Sequence, residues 1–202
     1  MSIILASASQ TRKNLLRQAH IDFIATGHTF NERSITDFYV QNPVKLTQLL
    51  ATKKVQHTII PQDTLNNTII IAADTIVYHE PNTIFHKPTS YQDAVETLQE
   101  LRTEPILVAT TLAIGKYRAN TQSIACINHV TTITKIILQI SDTAIQTYLQ
   151  NHQDIYPYVA GGLIVENFGA QYIQSIEGSY TGALGLPMTE LHVLMKKDNQ
   201  ID

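Results

Sequence analysis

The sequence predicts a mixed α/β fold, and three observations support this prediction. Segments with the spacing of strands alternate with segments of helical periodicity from the first residues onward. The run TIIIAADTIVYH, residues 68–79, is apolar almost throughout, which is typical of a strand covered on both faces. Two later segments, about residues 106–117 and 123–140, are rich in isoleucine, threonine and valine. We therefore expect one mixed α/β domain over residues 1–202, with two lobes around a cleft.

The first part of the chain predicts two short strands and two helices. Residues 2–6 have the pattern of a strand, residues 11–19 show helical spacing of their leucines, and residues 21–26 again favour a strand. Pro43 can occupy the first position of a second helix. This helix would run to about residue 57 with its leucines on one face.

Three later helices are predicted at residues 90–102, 141–150 and 189–197. Ser90 and Asp93 resemble a capping box at the start of the first, and Ser141 caps the second. The tripeptide EPN after the apolar strand predicts a turn. The stretch AGGLIVENFGAQYIQSIEGSYTGALGLPM carries several glycines and leads into the last helix.

The composition limits the classes of function. A chain of 202 residues with 44% hydrophobic content can bury a core, and its formal net charge of −3 argues against a surface that coats a nucleic acid. No apolar run reaches about 18 residues, and the N-terminus lacks the pattern of a secretory signal. The single cysteine, Cys126, fits a reducing compartment. We therefore expect a cytoplasmic protein with neither a membrane nor a nucleic-acid partner.

The stretch ILASASQTRKNLL places two serines and an arginine where a strand leads into a helix. The first N–H groups of a helix lack intrahelical partners and the helix dipole is positive there, so hydroxyls at this place suit an anion. A serine there is also a common helix N-cap. Phosphate binding and capping are both compatible with these residues.

Asp74 interrupts the apolar strand of residues 68–79. A carboxylate in such surroundings costs free energy unless a positive charge or hydrogen-bond donors meet it. It can be a strand-end carboxylate bonded to backbone N–H groups. It can equally be a metal ligand or a general base at the open end of the strand.

Five basic residues gain interest beside this carboxylate. Lys87 lies in the tripeptide HKP, Lys53 and Lys54 lie on the second predicted helix, and Arg12 and Lys13 lie near the start of the first. Each alone is compatible with a solvated surface charge, whereas together they match a triphosphate. GALGLP and IGKY lack the spacing of a P-loop, and the histidines lack paired metal-ligand spacing.

Several short motifs follow one another along nearly the whole chain. SASQTRKNLL is similar to S-x-S-P-x-R-x-x-L-L, IAADTIV to G-[AS]-D-[TQ]-V, and HKP to G-K-P. NE at residues 31–32, LATKK ending at Lys54, AGG…ENFGA and IEGSY…GLP continue the match. In this order the motifs resemble the Maf family, the septum-formation-inhibitor-like nucleotide pyrophosphatases.

The resemblance implies an elongated mixed sheet with two lobes around a nucleotide cleft, related to the fold of the inosine triphosphate pyrophosphatases. It implies the reaction of a nucleoside triphosphate with water to give the monophosphate and pyrophosphate. A divalent cation, Mg²⁺ or Mn²⁺, would assist, and hard oxygen ligands suit both ions. The family also suggests a homodimer. A nucleotide-binding regulator of cell division without hydrolysis is the alternative from a different functional class.

The resemblance also implies roles for individual residues. Asp74 corresponds to the active-site base or a metal carboxylate, and Glu32 to a second metal carboxylate. The expected phosphate contacts are Ser7, Arg12, Lys54 and Lys87. Gln10 stands where the family usually has proline, and Asn31 where it usually has aspartate.

Three positions bear on the nucleobase. Members similar to the thymidine and uridine triphosphate branch carry Arg, Thr and Gln there, and the 7-methylguanosine triphosphate branch carries Trp, Gln and Glu. The corresponding residues are Thr11, Thr75 and Glu166. A carboxylate can accept from both N1–H and the exocyclic amine of guanine, whereas uracil or thymine offers one donor between two carbonyls. We therefore expect guanine-type triphosphates, methylated ones included, with dTTP and UTP as the alternative.

Overall fold

The computed structural model describes residues 2–32, 35 and 42–197. Within these residues, seven strands form one mixed sheet: β1 Ile3–Ala6, β2 Ile24–Thr26, β3 Ile69–His79, β4 Thr83–Phe85, β5 Ile106–Arg118, β6 Ser123–Leu138 and β7 Ile173–Glu177. The described part of the chain also contains six α-helices: α1 Gln10–Gln18, α2 Pro43–Gln56, α3 Tyr91–Leu101, α4 Asp142–Asn151, α5 Tyr180–Ala183 and α6 Met188–Lys197. The mixed α/β prediction is confirmed.

The sheet has the strand order β2-β1-β3-β5-β6-β7, with β4 added to β3. β1 runs parallel to both β2 and β3, and the remaining pairs are antiparallel. Nearly all of β3 is buried, which explains the continuous apolar run in its sequence. Within the described ranges, no helix is long and apolar enough to cross a membrane.

One edge of β3 is paired along only part of its length. β1 pairs with this edge as far as Leu5 opposite Ile71, and β4 pairs with it from Val77 onward. β5 occupies the opposite edge. On the edge shared by β1 and β4, residues 72–76 therefore have no strand beside them among the described residues. At about 3.3 Å per residue this gap is roughly 17 Å long. We call this gap the edge notch.

The apolar core is divided into two main parts that the long strands connect. One part surrounds β1, α1 and α6, and includes Leu5, Leu16, Ile71, Leu112 and Leu191. The other surrounds α3 and α4, and includes Leu98, Ile106, Ile136, Ile145 and Leu149. The edge notch lies between these two parts, in agreement with the expected two lobes around a cleft.

The main helices begin close to where the sequence predicts them, because each has a polar N-cap. The side chains of Ser9, Asn42, Ser90 and Ser141 each accept a hydrogen bond from the backbone N–H three residues later. The capping box at α3 differs in one contact. The Asp93 carboxylate accepts from the backbone N–H and hydroxyl of Thr89, at 2.7 and 2.8 Å, rather than from the N–H of the cap residue.

Short elements account for most of the differences from the prediction. β2 covers only residues 24–26 because it pairs with a β1 of four residues, and Ile21 and Phe23 pack against the core instead. β4, β7 and α5, which have three to five residues each, were not predicted. Their sequences are too short for periodicity to identify them.

Candidate active site

Asp74 and Thr75 lie at the edge notch and point to opposite faces of the sheet, because successive side chains of a strand alternate. Asp74 faces α2, where it contacts Lys54. Thr75 faces α1, where it contacts Arg12, and lies close to Gly185 in the turn after α5. Since no described strand occupies the notch, Lys54 on one face of the sheet and Arg12 on the other both lie beside the same open edge of β3.

A buried lysine joins the two predicted carboxylates. Lys54 Nζ lies 2.5 Å from Asp74 Oδ1 and 3.2 Å from Glu32 Oε1. Lys54 is in the last turn of α2, next to Val55, which packs into the core with Ala51, so the helix delivers its ammonium group to the sheet. Lys54 and Asp74 are 8% and 6% exposed, whereas the Glu32 side chain is 46% exposed. The three residues form a cluster that opens toward solvent at Glu32.

The protonation of this cluster follows from its burial. Burial raises the pKa of Asp74, while the charges of Lys54 and Arg12 partly oppose that rise. Burial also lowers the pKa of Arg12, which the charges of Asp74 and Glu32 oppose. An arginine side chain nevertheless stays protonated in proteins. The site therefore combines fixed positive charges with a carboxylate that is more basic than an exposed aspartate.

Arg12 links three separate segments of the chain. Its Nε donates to the carbonyl of Gly185 at 2.7 Å, Nη1 to the hydroxyl of Ser7 at 3.3 Å, and Nη2 to the hydroxyl of Thr75 at 3.2 Å. Ser9 caps α1 by accepting from the Arg12 backbone N–H. The two serines thus have different uses, one as the helix cap and one as a contact of the guanidinium.

A chain of hydroxyl groups attaches α2 to the sheet, and sequence reasoning missed it. Gln48 Nε2 donates to Thr131 at 3.2 Å, and the hydroxyls of Thr131 and Thr111 are 2.8 Å apart. Thr111 donates to Thr47 at 2.9 Å, and Thr47 to the carbonyl of Val44 at 2.8 Å. The sequence signal is a pair of threonines within each of two apolar strands, which predicts buried hydroxyls in need of partners.

The three residues expected near the nucleobase fall into two groups. Thr11 donates to Glu166 Oε1 at 3.3 Å, so these two residues from opposite ends of the chain meet. Thr75 instead contacts Arg12 and Thr110. No described residue hydrogen-bonds to the other carboxylate oxygen of Glu166, which leaves that oxygen able to accept from a ligand.

Lys87 is exposed and contacts none of the other predicted site residues. It follows β4, which pairs with β3 at the far end of the edge notch from β1. The segment is held because Gly161 donates its N–H to the carbonyl of His86 at 3.0 Å, and Gly162 lies against Pro88. The HKP and AGG motifs, far apart in sequence, therefore pack together on one side of the notch.

His28 is a further residue beside the cluster that the sequence did not indicate. Its Nε2 lies 3.6 Å from Glu32 Oε1. Burial lowers the pKa of His28, and the charge of Lys54 lowers it further. His28 follows β2 in a bridge with Thr58, so only the tertiary pairing places it here.

The donor atoms of the cluster suit a hard divalent cation. Asp74 and Glu32 already contact one positive group, the Lys54 ammonium, so their oxygens converge where positive charge is favoured. The described residues contain no group of three or more His, Cys, Asp or Glu side chains that could hold a metal ion. Mg²⁺ often takes one or two carboxylates and completes its shell with phosphate oxygens and water. The residues thus fit a cation that arrives with a phosphorylated ligand.

Comparisons with known proteins find relatives along nearly the whole chain. The chain is 31% identical over 204 residues to a dTTP/UTP pyrophosphatase of Treponema denticola, with 96% of each chain covered. It is 30% identical to a nucleoside triphosphate pyrophosphatase of Chlamydia muridarum, over 98% of this chain and 94% of that protein. A Ham1 protein structure from Coxiella burnetii overlaps 69% of this chain and 73% of its own, with 14% identity and a TM-score of 0.34.

A family model also matches nearly the whole chain. The model described as Maf-like protein matches residues 2–198, which include every site residue discussed above. The relatives that match over nearly the whole chain support the same family. The chain therefore belongs to the family of Maf-like proteins.

Proposed function

We propose that the chain hydrolyses a guanine-type nucleoside triphosphate between its α- and β-phosphates, with release of the monophosphate and pyrophosphate. The enzyme class, a nucleoside triphosphate pyrophosphatase, follows from the family and from relatives that carry this name. The observation that carries the proposal is the buried Lys54–Asp74 contact at the edge notch, within electrostatic range of Arg12. A carboxylate of raised pKa with two cations near it supports hydrolysis of a polyphosphate, in which positive groups stabilise the charge that develops on the phosphates.

In the proposed reaction, Asp74 accepts a proton from the attacking water. Lys54 holds its Oδ1, whereas no described residue donates to Oδ2. Because burial raises its pKa, Asp74 is a better proton acceptor than an exposed aspartate. As the water oxygen bonds to the α-phosphorus, its proton passes to Asp74. The bond from that phosphorus to the bridging oxygen breaks, and pyrophosphate leaves with the electron pair.

Positive groups stabilise the phosphates during this step. Arg12 uses three of its five N–H groups within the protein, which leaves two for phosphate oxygens. Ser7 accepts from the N–H of Ser9 and from Arg12, so its own hydroxyl hydrogen is available to a ligand. Asp74 and Glu32 would hold Mg²⁺ or Mn²⁺, whose charge would neutralise phosphate oxygens and make bound water more acidic.

The preference for guanine rests on Glu166. Its free carboxylate oxygen, together with the one held by Thr11, offers acceptors to the N1–H and amino groups of guanine. The alternative, dTTP or UTP, is favoured by the name of the Treponema denticola relative and by Thr75. The hydroxyl of Thr75 is already bound by Arg12, which reduces its availability to a base.

A nucleotide panel tests both parts of the proposal. Purified protein is incubated with GTP, 7-methyl-GTP, dTTP, UTP and ATP in the presence of Mg²⁺ or Mn²⁺, and the products are identified by chromatography. Pyrophosphate and monophosphate are the expected products, and fastest turnover is expected on a guanine nucleotide. Release of orthophosphate, or nucleotide binding without turnover, would contradict hydrolysis and favour the regulatory alternative. Fastest turnover of dTTP or UTP would contradict only the base preference.

Replacing Glu166 with glutamine is expected to shift the preference toward UTP and dTTP. The amide keeps the shape of the side chain but replaces one acceptor with a donor, which suits a pyrimidine carbonyl. Hydrogen bonds from one side chain to a base discriminate against the wrong base by about 1–3 kcal/mol. The ratio of kcat/KM for a guanine nucleotide to that for UTP should therefore fall by about tenfold. Glu104→Gln, at an exposed position without a described contact, is the matched control. An unchanged ratio in Glu166→Gln would remove this residue from base recognition.

Replacing Lys87 with alanine is expected to lower kcat/KM at least about tenfold without changing the melting temperature. A charged hydrogen bond to phosphate contributes about 1.5–3 kcal/mol, whereas an exposed side chain without contacts contributes little to folding. Lys45→Ala, at another exposed position, should change neither quantity. Normal kinetics in Lys87→Ala would show that this lysine is a solvated surface charge.

A further inference from the structure

The Arg12 side chain is part of a closed ring of hydrogen bonds. Arg12 Nη2 donates to the Thr75 hydroxyl at 3.2 Å, and the Thr110 hydroxyl lies 3.0 Å from that of Thr75. Thr110 also contacts the Gly182 carbonyl at 2.8 Å, and the same carbonyl accepts from the N–H of Gly185 at 2.8 Å. The Gly185 carbonyl accepts from Arg12 Nε at 2.7 Å, which closes the circuit. We call these five residues the Arg12 ring.

Strand register and a glycine turn produce this ring. Thr75 on β3 and Thr110 on β5 lie directly opposite each other, and Thr110 is fully buried. Gly185 has a φ of +99°, which residues with side chains rarely adopt. A Cβ there would also lie 3.3 Å from the Thr75 hydroxyl and 3.4 Å from Arg12 Nε. The turn can therefore approach the guanidinium closely only with glycine at this position.

The ring fixes the direction in which Arg12 presents its remaining donors. A guanidinium is planar, so holding Nε and both terminal nitrogens determines the orientation of the two N–H groups that stay free. Thr110 is the member of the ring that contacts both the Thr75 hydroxyl and the turn that holds Arg12 Nε. It therefore joins the two supports of the guanidinium while lying too deep to contact a ligand.

We propose that Thr110 is a positioning residue that sets the orientation of Arg12 toward a phosphate group through Thr75 and the Gly182–Gly185 turn. The proposal rests on the phosphate contact that the proposed function assigns to Arg12. A small error in the placement of a charged donor lowers the rate of phosphoryl transfer strongly, because stabilisation depends on preorganised geometry. The loss of one buried hydroxyl can thus affect the reaction more than it affects the fold.

A double-mutant cycle tests this inference. Thr110→Val keeps the side-chain shape without the hydroxyl, and it is combined with Arg12→Ala. The cycle is measured by kcat/KM on the best nucleotide and by the Kd of inorganic tripolyphosphate in calorimetry, which needs no turnover. Thr110→Val should lower kcat/KM and tripolyphosphate affinity about tenfold when Arg12 is present, and should have no further effect when Arg12 is alanine. Thr110→Ser, which keeps the hydroxyl, should restore most of the loss.

The controls separate this role from a contribution to stability. Thr68→Val removes another buried hydroxyl, one that donates to the Leu65 carbonyl away from Arg12, and should leave both readouts unchanged. The same loss from Thr110→Val in both Arg12 backgrounds would overturn the inference, as would normal kinetics and affinity in the single variant. Failure of the wild type to hydrolyse any nucleotide would contradict the proposed function, and the tripolyphosphate cycle would still decide the inference. Absence of tripolyphosphate binding to the wild type would overturn it.

Discussion

Asp74→Asn should lower kcat by at least about a hundredfold while the protein stays folded. Asparagine keeps the shape of the side chain but cannot accept the proton of the attacking water, and a general base contributes about 10²–10⁴-fold. The fold should tolerate the change because burial disfavours the ionised form of Asp74, as its raised pKa indicates. Lys54 also keeps its ion pair with Glu32 at 3.2 Å. Turnover by steady-state kinetics and melting by circular dichroism measure the two effects.

Asp63→Asn is the matched control, since Asp63 is exposed and has no described contact. It should retain wild-type kinetics and melting temperature. Wild-type turnover in Asp74→Asn would refute the proposed role of Asp74 as base or metal carboxylate. Loss of turnover together with unfolding would instead assign the residue to stability.

Lys54→Met should lose both activity and stability. The substitution leaves Asp74 buried without its cation, and removing one partner of a buried ion pair costs about 3–5 kcal/mol of the free energy of unfolding. We expect kcat/KM to fall by at least about a hundredfold because Asp74 loses its orienting contact and its pKa rises further. Chemical denaturation and steady-state kinetics measure these losses. Lys53→Met, on the preceding residue of α2, should change neither quantity substantially.

The stability loss in Lys54→Met should depend on pH in a defined direction. With the folded-state pKa of Asp74 raised above the ordinary value of 3.8, ionisation disfavours the folded state more than the unfolded state. The contribution of Asp74 to the stability of the fold is therefore fully present below pH 3.8, and it is lost as the pH rises through the folded-state pKa. The difference in melting temperature between wild type and Lys54→Met should be larger at pH 7.5 than at pH 4.5. A difference that does not change with pH would mean that the lysine acts through packing.

Much of the fold could be predicted from the sequence because its main elements have strong local signals. The helix starts follow from polar caps such as Ser90 and Ser141, and β3 follows from its continuous apolar run. Asp74, Lys54 and Glu32 also lie in one cluster, and the family resemblance assigns all three to the site. Their catalytic and phosphate-binding roles stay predictions until the variants above are measured.

The contacts that depend on register could not be predicted in the same way. The residues next to Thr110 in sequence do not predict that it lies opposite Thr75, because that pairing depends on the register between β3 and β5. The same holds for His28, which reaches Glu32 only through a bridge to Thr58. Thr75, for which a role beside the nucleobase is predicted, contacts Arg12 and Thr110 through pairings of the same kind. Short-range patterns identify residue types, and strand pairing decides which of them meet.

The hydrogen bond between Arg12 and Gly185 joins residues 173 positions apart. Such a contact forms only after a large part of the chain has come together, because the loop between its ends must first be closed. During synthesis, Lys54, Asp74 and Lys87 emerge well before the turn that orients Arg12. A nascent chain would therefore carry most of the charged groups without the complete arginine support. We therefore expect the chain to become able to process nucleotides only late in maturation, when the turn at Gly185 has folded against Arg12.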